Sequence, residues 1–335
     1  MFQEANPDLV ARFLAGWLRG INYMKNPANL EELMMAFREF GEETLPGRFF
    51  VADSVILENL ELSVMYNLEE QLEIFDRSEG DSVVDGWYTG VGDFMTEIEM
   101  IAENPEAASY ITDEYLKLVD ANETLKAFTL MSDPIGVDMG NMTLPEGVTP
   151  PPAEEEEMPT DEETSIPADL EEMGPPPTNE TDDTEGLQPI TVSIQPGTFW
   201  SVPFWLALQK GFFEELGLDV SYVLYSSGAP QVADGKENKT WDVGAAGSVP
   251  NILASPEIQT IMISNEEGGL NVLVGNARGA NRWPPESMEG VPVAITPNST
   301  GHYAAVRCLQ NTFPDITQDA FLFLPPSDVV KSLRE

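Results

Sequence analysis

Four short segments of the chain combine glycine with hydroxyl or amide side chains directly after a predicted strand. They are residues 195–200, 226–228, 244–250 and 297–301, and a helix is predicted to follow each of them. Free backbone N–H groups and the positive end of a helix suit an anionic or polar ligand. Each segment alone could be an ordinary cap or turn, but four at equivalent strand ends favour a binding site.

The residues needed for catalysis or metal binding are scarce. His302 and Cys308 are the one histidine and the one cysteine of the chain, which excludes an internal disulfide, a cysteine-based zinc site and a histidine-rich metal site. A Ser-His-Asp triad would have to use His302, and neither paired carboxylates nor EF-hand spacing stand out. We therefore expect no catalytic set, no metal site and no cofactor.

The charge of the chain restricts its partners. It has 58 acidic against 16 basic residues, a formal net charge of −42. Such a surface repels phosphate backbones and anionic lipid headgroups, so we expect no nucleic-acid binding. The uncharged stretch at 187–209 is interrupted by three prolines and a glycine, and residues 1–7 lack the basic and apolar regions of a signal peptide. We expect no membrane insertion of this chain.

Composition divides the chain into three parts. Residues 1–131 read as helices, because Asn-Pro pairs precede runs with apolar helical spacing. Residues 132–188 are expected to form a disordered acidic linker, since 14 acidic residues, 8 prolines and no basic residue lie within 150–186. Residues 189–335 alternate strands and helices, which predicts an α/β segment with a largely parallel sheet and ligands beyond the carboxyl ends of its strands.

Within the third part we expect one helix over 202–216 and several short strands. The strands are predicted at 190–194, 219–225, 241–245, 260–264, 271–275, 292–296 and 321–324. No strand is expected in the first part.

The third part resembles the opening of the nitrate/sulfonate/taurine-type solute-binding proteins of ABC importers. The resemblance is carried by residues 190–197, 203–213 and 216–220, by the Asp-Val-Gly strand and Gly-Ser turn within 241–250, and by 288–300. Residues 6–14 and 108–116 are similar to the C-terminal half of the same family. The order is therefore inverted: C-terminal half, acidic linker, N-terminal half.

This resemblance implies a type II periplasmic-binding-protein-like fold with two lobes. The second lobe would be incomplete, and the helical N-terminal part would pack on the α/β segment. Two interpretations remain: a slice of a tandem array of modules, which the abrupt ends favour, or a natural permutant whose halves pair through the linker.

The resemblance also implies a function, which is binding of a small polar or anionic solute between two lobes for ABC-type uptake. The solute classes are nitrate or bicarbonate, sulfonate or taurine, and pyrimidine, and the implied partner is an ABC permease. The implied ligand-binding residues are Gln195, Gly197, Trp200, Ser226, Gly228, Gly247, Ser248, Ser299 and Thr300.

A periplasmic or secreted location follows from the same resemblance, and five Asn-x-Ser/Thr sequons agree with secretion. We expect a binding protein, not an enzyme. The alternatives are an enzyme like thiamine-pyrimidine synthases on the same fold, and a surface or structural tandem module without ligand binding.

Overall fold

A computed structural model of the chain describes residues 2–47, 49, 51–131, 186–267, 288 and 291–332. Most of the predicted linker, the predicted strand 271–275 and most of the segment 288–290 lie outside these residues. Within the described parts of the chain, no helix combines the length and the apolar character needed to cross a membrane.

The first segment is built of helices joined by short connections. They are α1 (Phe2–Ala5), α2 (Pro7–Lys25), α3 (Leu30–Thr44), α4 (Asp53–Leu62), α5 (Leu68–Ile74), α6 (Val83–Glu97), α7 (Glu114–Ala121) and α8 (Glu123–Thr129), with strand β1 (Ser63–Val64) between α4 and α5. Helix α2 begins at Pro7 as the Asn-Pro pair predicts, and capping boxes built on Asn67 and Ser82 start α5 and α6.

The second segment alternates strands and helices. Its strands are β2 (Gln188–Ile194), β3 (Leu218–Leu224), β4 (Val243–Gly244), β5 (Glu266–Glu267), β6 (Val293–Ile295) and β7 (Phe321–Phe323). Its helices are α9 (Val202–Gln209), α10 (Phe212–Glu215), α11 (Gly228–Glu237), α12 (Ser248–Ala254), α13 (Thr300–Gln310) and α14 (Pro326–Ser332).

Parallel pairing joins most of these strands. Strands β3, β2 and β4 form one parallel sheet in that order, with Ile194 opposite Leu224, and β6 and β7 form a second parallel pair. The chain is thus a mixed α/β protein with parallel sheets, and the coarse fold class predicted from the sequence is confirmed.

Three local predictions were wrong. The helix expected over 202–216 is interrupted after Gln209, because Gly211 adopts a left-handed φ of +69° and starts α10. The strand expected over 260–264 is a single bridge between Thr260 and Ile111, and pairing resumes at β5. Strand β5 pairs antiparallel with β1 of the first segment, where no strand was expected.

The two segments share one hydrophobic core. Helix α2 packs along α9, and the Phe13 ring stacks on the Phe213 ring with centroids 5.2 Å apart. Arg12 Nη1 donates to the carbonyl of Leu216, which lies at the end of α10, at 2.9 Å. The helical segment therefore packs on the α/β segment within one chain.

A second, smaller cluster surrounds β6, β7 and α13. Its buried members are Phe94, Ile295, Ala305, Val306, Leu309 and Phe321. Phe94 comes from α6, and its ring meets the Tyr303 ring edge-on at 5.0 Å. Helix α6 therefore contributes side chains to both clusters.

Candidate functional site

A cavity of about 1840 Å³ lies where the loops after β2, β3 and β4 meet the start of α13 and the wall formed by α6. All nine residues that the sequence proposes for ligand binding line it: Gln195, Gly197, Trp200, Ser226, Gly228, Gly247, Ser248, Ser299 and Thr300. They approach from two sides. The loops of the three-stranded sheet supply the first seven, and the turn after β6 supplies the last two.

The strand order explains why the first seven meet. Parallel strands place their carboxyl ends at one edge of a sheet, and β2 is the central strand between β3 and β4. The segments after all three strands therefore emerge side by side, although 50 residues separate Gln195 from Ala245 along the chain.

Gly197 and Ser299, two of these nine residues, have polar groups that hydrogen-bond within the protein. The Gly197 N–H donates to Thr44 Oγ1 at 3.0 Å, so the expectation of a free N–H is wrong at this position. Ser299 Oγ donates to the Thr296 carbonyl at 2.8 Å and accepts from the His302 N–H at 3.0 Å, as a helix N-cap does. Both residues shape the cavity, while these polar groups serve the protein itself.

Apolar side chains also line the cavity. Half-buried lining residues include Phe49, Trp87, Val91, Trp200, Ile261, Ile263 and Tyr303. The backbone of Trp200 is held by Ser264, whose Oγ donates to its carbonyl at 2.9 Å. Trp200 Nε1 is buried and has no hydrogen-bond partner among the described residues. The indole thus presents an aromatic surface, with its N–H turned away from solvent.

Tyr88 of α6 joins the wall to the sheet side. Its hydroxyl receives hydrogen bonds from Asn251 Nδ2 at 3.3 Å and from Thr260 Oγ1 at 3.5 Å. Burial raises the pKa of the Tyr88 phenol, so the group stays neutral throughout the physiological range. This contact brings together residues 163 positions apart, and nothing in the sequence pattern indicates it.

Charged side chains lie among the lining residues, but none belongs to the nine. Those in the described chain are Lys236, Lys239, Asp242, Glu257, Glu266 and Glu267. Lys236 Nζ pairs with Glu257 at 3.0 Å. Carboxylates outnumber lysines around the cavity, so its electrostatics do not resemble those of a site built on arginine or lysine clamps.

The two sides of the cavity touch at Gly247 and Thr300. A β-carbon built on Gly247 would lie 2.1 Å from Thr300 Oγ1 and 3.2 Å from Thr300 Cβ. Thr300 Oγ1 is buried there and has no hydrogen-bond partner among the described residues. An unpaired buried hydroxyl costs about 1–3 kcal/mol, so this contact is held by the surrounding packing and not by that hydroxyl.

Sequence reasoning missed the residue that connects the loops, Gln231 of α11. Its side chain is fully buried, lines the cavity and accepts a hydrogen bond from Gln195 Nε2 at 3.0 Å. The local pattern gave no signal for it, because a polar residue within a short helix is ordinarily exposed.

The His302 side chain is not among those that line the cavity. It is 3% exposed in α13, and its ring packs against the rings of Phe321 and Phe323 at 5.9 and 5.1 Å. Cys308 is exposed and free. Among the described residues, no group of three or more His, Cys, Asp or Glu side chains could hold a metal ion.

Comparison with family models, with curated proteins and with solved structures found no match to this chain.

Proposed function

We propose that the chain is a solute-binding protein that holds a small polar or anionic solute in the cavity between two lobes. The observation that carries this proposal is the convergence of all nine expected ligand-binding residues on one cavity at the carboxyl edge of a parallel sheet. These residues come from four separate segments of the sequence, so their meeting is not a consequence of being neighbours along the chain.

The proposed lobes correspond to the two hydrophobic clusters. One contains the three-stranded sheet with helices of both segments, and the other contains β6, β7 and α13. A type II periplasmic-binding-protein-like arrangement with an incomplete second lobe is consistent with this division. In that arrangement the contact between Gly247 and Thr300 is where the lobes meet as the cavity closes.

The lining favours an organic solute within the proposed classes. A cavity of about 1840 Å³ exceeds the roughly 300–1,000 Å³ typical of ligand pockets, which is far more than nitrate or bicarbonate would fill. Trp200, Phe49 and Trp87 offer apolar surface to a ring or an alkyl group. A sulfonate with an organic body, or a pyrimidine, would use both this wall and the Gly-Ser loops.

The wider role rests on the sequence resemblance. Under the same proposal, the chain delivers its solute to an ABC permease and works in a periplasmic or secreted location. An array of such modules and a natural permutant both remain compatible with two segments that pack together.

Thermal unfolding of the full chain against a panel of solutes tests the proposal. The panel contains nitrate, bicarbonate, taurine, octanesulfonate and 4-aminopyrimidine. A solute at a hundred times its dissociation constant should add about 2.7 kcal/mol of stability, which is a shift of a few degrees. Octanesulfonate needs a further control for nonspecific binding, because it is a surfactant.

The variant carrying both Trp200→Leu and Ser248→Ala serves as the matched control, and it should lose the shift while still unfolding cooperatively. Equal shifts in both proteins, or no shift with any panel member, would contradict solute binding at this cavity. His302→Ala should leave the solute-induced shift unchanged, because His302 lies outside the lining residues. Turnover of a panel compound that His302→Ala abolishes would instead support the alternative of an enzyme.

A further inference from the structure

The interior of the sheet edge contains one carboxamide with an unusual set of contacts. Gln231 Nε2 lies within hydrogen-bond distance of three acceptors, and one of its two hydrogens is shared between two of them. The acceptors are the Ser193 carbonyl at 3.1 Å, Ser193 Oγ at 2.9 Å and the Ala245 carbonyl at 3.0 Å. Gln231 Oε1 accepts from Gln195 Nε2 at 3.0 Å. The side chain is 0% exposed, and its contacts with Ser193 are buried, while those with Gln195 and Ala245 are part-buried.

These contacts connect three of the loops that surround the cavity. Ser193 and Gln195 belong to the end of β2 and its following loop, and Ala245 begins the loop after β4. Gln231 itself is in α11, whose first residue, Gly228, ends the loop after β3. One side chain therefore fixes the relative positions of the three loops.

The helix that carries Gln231 is held at the same place. Trp241 Nε1 donates to the Gln231 carbonyl at 3.0 Å, which ties α11 to the segment that enters β4. Space around the carboxamide is tight, because a β-carbon on Gly244 would lie 2.1 Å from Ser193 Oγ and 3.3 Å from Gln231 Nε2. The backbone at this edge has little freedom to adapt if the carboxamide is changed.

The chemistry requires a carboxamide. Two backbone carbonyls and a hydroxyl face the nitrogen end, and a donor faces the oxygen end, so both a donor and an acceptor are needed on one side chain. Glutamate would place a carboxylate oxygen against the carbonyls. Leucine would take the carboxamide donor away from Ser193 Oγ and the Ala245 carbonyl, while the Ser193 carbonyl would keep the Ala245 N–H at 3.0 Å.

We infer that Gln231 is the positioning residue of the solute site: it holds the loops after β2, β3 and β4 in one arrangement and orients Gln195 at the cavity. This inference deepens the proposed function and rests on it, because only solute binding makes these loops a site. The positioning of the loops is itself a property of the solute-free chain.

Hydrogen–deuterium exchange of the full, solute-free chain tests the positioning directly. In Gln231→Leu, amides in 195–201, 226–228 and 245–248 should exchange about tenfold faster, because the carboxamide contacts to Gln195, Ser193 Oγ and the Ala245 carbonyl are lost and the loops open locally. Amides of α3 and α7 should keep their wild-type rates. If Gln231→Leu destabilises the whole chain, Gln195→Leu removes only the contact at Oε1 and should loosen 195–201 alone.

Gln71→Leu is the matched control, since Gln71 is also a fully buried glutamine but accepts from the Ile263 N–H at 3.1 Å and donates to the Tyr66 carbonyl at 3.1 Å. Its loss should loosen 66–72 and 261–265, and with them Trp200, whose carbonyl accepts from Ser264 Oγ, but it should spare 226–228 and 245–248. Unchanged loops in Gln231→Leu, or uniform acceleration across the chain in both Gln231→Leu and Gln195→Leu, would overturn the inference.

Binding measurements distinguish a failure of this inference from a failure of the proposed function. With taurine and 4-aminopyrimidine as probes, Gln231→Leu should weaken any wild-type binding about tenfold. Wild-type binding that is equal in Gln231→Leu overturns the positioning role alone. If neither probe binds the wild type while the loops still loosen in Gln231→Leu, the positioning role stands and the solute classes represented by the probes are wrong.

Discussion

Gly247 and Thr300 approach so closely that no side chain fits between them. A β-carbon on Gly247 would lie 2.1 Å from Thr300 Oγ1. Gly247 precedes α12 beside the three-stranded sheet, and Thr300 begins α13 beside β6. The contact joins the two sides of the cavity and gives the first prediction.

Gly247→Ala should hold the two sides of the cavity apart. We expect a loss of about 1–3 kcal/mol of unfolding free energy, the usual cost of overpacking, and a weaker solute-induced shift in thermal unfolding. Adding Thr300→Ala removes the clashing hydroxyl and should restore most of both quantities. Gly90→Ala in α6 is the control, because no atom lies within 4 Å of its β-carbon position. Gly247→Ala that behaves like Gly90→Ala would contradict the contact.

Gly20→Ala tests the packing of the helical segment on the α/β segment. Its β-carbon would lie 2.2 Å from the Pro203 carbonyl oxygen, and a backbone atom cannot move aside as a flexible side chain can. The interface between α2 and α9 should open, at a cost of about 2–3 kcal/mol in chemical denaturation. Gly86→Ala has open space around it and should change stability little. Equal stability of the two variants would mean that the segments do not pack as described.

Arg19 should stabilise the same interface more through its contacts with two aromatic rings than through its ion pair. Its guanidinium lies 3.8 Å from the Phe212 ring centroid and 4.5 Å from that of Phe128, and it pairs with Glu215 at 2.9 Å. Glu215 is half exposed, so Glu215→Gln should cost under about 1 kcal/mol. Arg19→Met should cost about 2 kcal/mol in the same denaturant titration, because it loses both ring contacts. The reverse ranking would assign the effect to the ion pair.

The Asp85 carboxylate should make the free energy of unfolding depend on pH in the acidic range. Burial raises the pKa of its carboxyl, but hydrogen bonds from Arg77 at 2.7 Å and from Ser82 outweigh burial, and the pKa lies below its ordinary value. A group with a lowered folded-state pKa stabilises the protein above its unfolded pKa of about 3.9 and loses this contribution as the pH falls through the folded pKa.

Asp85→Asn leaves Arg77 without its charged partner and should cost about 2–3 kcal/mol at pH 7. The difference in unfolding free energy between wild type and Asp85→Asn should narrow below about pH 4. Urea titrations at pH 7, 5 and 3 measure it. A difference that stays constant across this range would show that the carboxylate charge is not responsible.

The sequence predicts individual helices and strands better than it predicts which distant elements pair with each other. Strands β2 and β3 and the loops that follow them can be predicted from local patterns, since apolar runs are followed by Gly and Ser at helix starts. Short β5 does not, because its two glutamates pair with β1 from the other segment. Gly211 is recognisable as a helix breaker, but an apolar run on both sides of it favours one continuous helix.

The residues that line the cavity were likewise predictable only where a local pattern marks them. The nine loop residues carry a local signal, whereas Tyr88 and Phe49 reach the cavity only because the two segments pack together. Gln231 was hidden for a different reason: a polar residue within an ordinary short helix gives no sign that its side chain points inward. Tertiary contacts over 150 residues or more therefore decide the part of the site that local spacing cannot.

The central claim is that a small solute binds at the loops that surround the cavity. Amide chemical-shift mapping of the full chain by NMR tests it most directly, with taurine, octanesulfonate and 4-aminopyrimidine titrated separately. The account predicts saturable shifts at Trp200, Gly228, Gly247, Ser248 and Thr300 with at least one of these compounds, and their loss in the Trp200→Leu, Ser248→Ala double variant. Shifts confined to other surfaces, or the absence of saturable shifts with all three compounds, would contradict it.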